Sequence, residues 1–101
     1  MGYVEIDIRN LKEVVNILFD HLSEDLHIDS IKIDDGHDLY WSCPASELYD
    51  VSKAPVGLEV GSLSDDIRFL KLVRRDETGN ISYNFVHVVP LLRYIAERVK
   101  G

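Results

Sequence analysis

Residues 28–44 read "IDSIKIDDGHDLYWSCP", and the fold turns on how they are divided. Ile28, Ile31 and Ile33 form one β-prone run, residues 34–38 are turn-forming, and Leu39 to Ser42 is a second β-prone run. Gly36 beside Asp35 supplies the positive φ that tight turns demand, so the stretch predicts a β-hairpin. Pro44 cannot donate to a ladder and closes the second strand. Tyr40 and Trp41 are strand neighbours and point to opposite faces. One of them leaves the core unless "ELYDVSKAP" (47–55) folds over it, which is the expectation.

Upstream, Leu11, Val14, Val15, Leu18 and Leu22 recur at helical spacing between Arg9 and Leu26, with Ile17 and Phe19 widening the stripe. Asn10 is the expected N-cap, with Glu13 three residues on. Downstream, "VGLEVGSL" (56–63) sets Val56, Leu58 and Val60 against Gly57, Glu59 and Gly61. This alternation predicts a strand that buries its valine and leucine side. Ser64, Asp65 and Asp66 suit a helix start. Ile67, Leu70 and Leu72 or Val73 would face inward, Lys71, Arg74 and Arg75 would lie in the last turns, and "DETGN" (76–80) would end the helix.

The last segment, "ISYNFVHVVPLLRYIAERVKG" (81–101), carries two patterns. Ile81, Tyr83, Phe85 and His87 alternate as in a strand. Phe85, Val88, Leu92, Ile95 and Val99 form a helical stripe with Asn84 as cap. Pro90 would break an interior helical turn, so an extended segment followed by a helix from Pro90 is expected. The sum is a single α+β domain over residues 1–101, with a mostly antiparallel sheet of three to four strands packed against two long helices.

Composition narrows the class. At 101 residues, 46% hydrophobic and 29% charged, the chain is of globular type and long enough for one modest core. No apolar run approaches the ~18 residues of a membrane span, and the N-terminus lacks a basic and apolar leader. Position 6 is Ile, so Gly2 has no myristoylation context. With one cysteine and no internal disulfide, the expectation is a cytoplasmic protein away from membranes. Residues 1–50 carry a net charge of −9 and residues 51–101 a net of +2, giving −7 in all. This balance repels phosphate backbones and argues against nucleic acid. It fits either a soluble surface or an acidic face that attracts a basic protein.

Candidate chemistry is thin. Cys43 is surrounded by Asp38, Glu47 and Asp50, which work against a thiolate, and it reads as a half-buried strand-end residue. His21 and His27 lack zinc spacing, and "DDGHD" (34–38) lacks the ligands of a calcium loop. Neither a metal nor a cofactor is expected. Asp65 and Asp66 have a capping explanation. "VGSLSDD" (60–66) is not a phosphate loop, and no serine sits in a nucleophile elbow.

The combination "YWSCP" (40–44), "ELYD" (47–50) and "LEVGSLSDDIRFLK" (58–71) resembles a pattern in small bacterial proteins of about this size. That group carries no assigned catalytic residues, so the resemblance implies no site. The functional expectation is a non-enzymatic interaction domain, of the kind represented by immunity or antitoxin-like proteins. It would present Asp20, Glu24, Asp25, Asp34, Asp35 and Asp38 to a basic partner, with Tyr40 or Trp41 as apolar anchor. The alternatives are a small ligand-binding protein or enzyme using Cys43 and a histidine, and a homodimer through the Phe85–Val99 stripe.

Overall fold

The computed structural model describes residues 4–34, 36–74 and 81–99. Asp35, Arg75 and the "DETGN" segment lie outside the described residues. The chain divides into two compact units, Met1–Lys32 and Ile33–Gly101.

In the first unit, the helical stripe forms α1 (Ile8–Asp20), which continues into one π-helical turn, His21–Asp25. The N-cap is Asp7 rather than Asn10: its extended backbone leaves the carboxylate free to accept the Asn10 N–H at 3.0 Å. A carboxylate suits the positive end of the helix dipole, and Asn10 becomes a first-turn donor. The helix closes at His27, whose φ of 54° is left-handed, while the Ile28 N–H reaches back to the Leu22 carbonyl at 2.8 Å. Ile28 therefore serves the end of a helix instead of starting a strand.

In the second unit, β1 (Leu39–Ser42) pairs antiparallel with β2 (Glu59–Ser62), placing Leu39 opposite Ser62 and Trp41 opposite Val60. The expected hairpin over residues 28–42 does not form, and among the described residues the sheet has two strands rather than three to four. Gly36 does take a positive φ of 84°, but the turn it belongs to closes within the loop, where the His37 N–H meets the Asp34 carbonyl at 3.0 Å. That loop is fastened to the C-terminal helix. The Asp34 N–H donates to the Tyr94 hydroxyl at 3.3 Å, and the Asp34 carboxylate pairs with Arg98 at 2.7 Å.

Between the strands, the short helix α2 (Ala45–Leu48) presents Glu47, whose carboxylate accepts the N–H groups of Val56 at 2.8 Å and Gly57 at 2.9 Å. These donors hold the Glu47 carboxyl below its usual value. They tie off the excursion and deliver the chain to β2, which runs without a loop into α3 (Leu63–Arg74). Asp38 secures that junction. Its carbonyl accepts the Leu63 N–H at 2.8 Å, and its carboxylate accepts the Ser64 N–H at 2.8 Å and the Ser62 and Ser64 hydroxyls, each at 2.9 Å. The cap of α3 thus comes from 26 residues upstream, and Ser64 is a donor to it.

The C-terminal helix α4 (Ile81–Arg98) is continuous through Pro90 and packs against α3. The extended start and the Asn84 cap are both overturned: packing an apolar face against α3 outweighs one lost hydrogen bond. The half-buried side holds Val88, Ile95 and Val99 of the predicted stripe together with Asn84, His87, Leu91 and Tyr94, while Phe85 and Leu92 are exposed. Among the described residues, Leu63 and Asp66 alone are buried, each 3% exposed.

Candidate functional site

Asp66, in the first turn of α3, is the centre of a polar network. The Tyr40 hydroxyl donates to one carboxylate oxygen at 2.6 Å, and His87 Nδ1 lies 2.6 Å from the other. β1, α3 and α4 each contribute one member. A carboxylate accepts from both neighbours, which assigns a proton to His87 Nδ1. Nε2 is buried and has no hydrogen-bond partner among the described residues. Phe69 stacks on the imidazole at 4.4 Å and Tyr83 meets it edge-on at 4.6 Å. Burial, then the bond to Asp66, then the charges of Asp66 and Asp65 push the Tyr40 phenol above its ordinary value.

An imidazole oriented by a carboxylate, with Nε2 open, is the geometry of a general base or a metal ligand. Both roles need a further group at Nε2. No hydroxyl or thiol reaches it, and no cluster of three or more metal-ligating side chains exists among the described residues. One buried carboxylate joins side chains of three elements.

The opposite side of β1–β2 has the reverse character. Trp41 is 73% exposed, and beside it lie Val60 at 59%, Leu39 at 64% and, by strand alternation, Leu58 at 50%. The face expected to be buried, with Val56, Leu58 and Val60, is therefore outward. The reason is Gly61: it sits opposite Tyr40, and a Cβ there would strike the Tyr40 ring, so α3 packs on the glycine side. The segment 47–55 does not cover Trp41, and its own Tyr49 and Val51 are exposed.

The expected acidic residues fall into separate settings. Asp20, Glu24 and Asp25 are exposed at the end of α1 and in the π-helical turn, where His21 Nδ1 lies 2.6 Å from Asp25. Asp34 and Asp38 are engaged inside the second unit, and Asp35 lies outside the described residues. The Asp38 carboxyl is held low by the Ser64 hydroxyl first, then the Ser64 N–H and the Ser62 hydroxyl. Tyr40 is half-buried and committed to Asp66, which leaves Trp41 as the outward aromatic. Cys43 is half-buried and free, and the histidine contacts lie elsewhere, at Asp25, Asp34 and Asp66.

Sequence reasoning passed over Asp66 and His87. Asp66 had a sufficient explanation as a helix-start acid, and its partners lie 26 and 21 residues away. No helix among the described residues is long and apolar enough to cross a membrane. No protein-family model, curated protein or solved structure matches the chain.

Proposed function

We propose that the chain is a non-enzymatic protein-interaction module whose apolar anchor is the outward face of β1–β2. The observation that carries this is Trp41, 73% exposed in a regular strand and flanked by exposed Leu39 and Val60. Tryptophan is enriched at the hot spots of interfaces, where a well-packed partner excludes water from it. The open side of the sheet has no charge along Leu39, Trp41, Leu58 and Val60. The enclosure of Asp66 and His87 away from this face is compatible with the same reading.

The test is photo-cross-linking from position 41, using a benzophenone amino acid in place of Trp41 and, as control, in place of Glu13 on the polar side of α1. A discrete adduct from position 41 and none from position 13 is expected. Equal labelling from both positions, or none from 41, refutes the anchor.

A second surface, on the other unit, belongs to the same proposal. Asp20 and Glu24 have no cation within ion-pair distance among the described residues, which favours a basic partner there. In that role the chain would act as an acidic mask of immunity or antitoxin type. Reversing Asp20, Glu24 and Asp25 to Lys should abolish capture of a basic protein that elutes with salt. Unchanged capture rules this surface out.

A further inference from the structure

We draw no further inference here: the strongest candidate, the buried His87 Nε2 in the Asp66 network between β1, α3 and α4, belongs to the site already described, and no polar group among the described residues meets that atom to say what it would bind.

Discussion

Tyr40→Phe isolates the contribution of one hydrogen bond to the second unit. The substitution keeps the ring against Gly61 and removes the oxygen that donates to Asp66 at 2.6 Å. Asp66 is 3% exposed, so water cannot readily replace the lost donor, and the carboxylate is left with His87 alone. Hydrogen bonds to charged groups contribute about 1.5–3 kcal/mol, and the short distance argues against the low end. The expected loss is therefore about 2 kcal/mol, or roughly 8–16 °C in melting temperature for a domain of this size. Urea denaturation followed by far-UV circular dichroism at fixed protein concentration measures it.

The same pair of proteins carries a pH signature. The Tyr40 phenol titrates above its ordinary value of 10.0 in the fold, so its stabilising effect is complete below that pH and is lost as pH rises through the raised value. Wild type should lose stability above pH 10 where Tyr40→Phe does not, and the gap between them should narrow. A difference below about 0.5 kcal/mol at pH 7 would falsify the assignment of Asp66 as the centre of the unit.

Four further outcomes follow from other positions. Asp38 and Glu47 titrate below their ordinary values, so the stability they contribute is present above pH 4–5 and lost on acidification through those lowered values; Asp38→Asn should lower the melting temperature at pH 7 and flatten its fall between pH 5 and 2.5, and a parallel fall would exclude Asp38 as the α3 cap. Gly61→Ala drives a methyl group into the Tyr40 ring and should cost about 1–3 kcal/mol in urea denaturation. Gly36→Ala meets no atom but must hold φ at 84°, so it should cost about 1 kcal/mol through backbone strain alone. Pro90→Ala restores an interior helical hydrogen bond and should stabilise α4 by up to about 3 kcal/mol, with no gain if the helix is already relaxed around the proline.

What was legible in the sequence is what short-range physics decides. The α1 stripe, the left-handed Gly36 and the opposed faces of Tyr40 and Trp41 depend on neighbours a few residues away. The strands were misjudged because Leu39–Ser42 had a tempting partner close by in Ile28–Ile33, whereas its actual partner begins at Glu59. Alternation over residues 56–61 had the correct period but the wrong face. A run of Val, Leu and Val reads as the buried side, yet the absence of a side chain at Gly61 is what admits the Tyr40 ring and brings α3 to that side. In α4 the apolar stripe is legible at Val88, Ile95 and Val99, which are half-buried, but not in the polar residues on the same side, where His87 bonds Asp66. Among the acids, Asp20, Glu24 and Asp25 are exposed, while Asp34 and Asp38 act as acceptors within the second unit. Nothing local distinguishes a carboxylate that caps a distant helix from one that meets solvent.

The loopless passage from Ser62 into Leu63 works like a gear. Each residue of an α-helix advances its side chains by about 100°, and β2 hands its direction to α3 with no slack between them. A single residue inserted between Ser62 and Leu63 would leave the ladder intact, yet it would swing Asp66 about a quarter turn away from Tyr40 and His87. A one-step slip of β2 along β1 would instead bring Val60 to the place where Gly61 admits the Tyr40 ring. The pairing of two short strands thereby sets the phase of a helix, and the buried carboxylate checks that the phase is right.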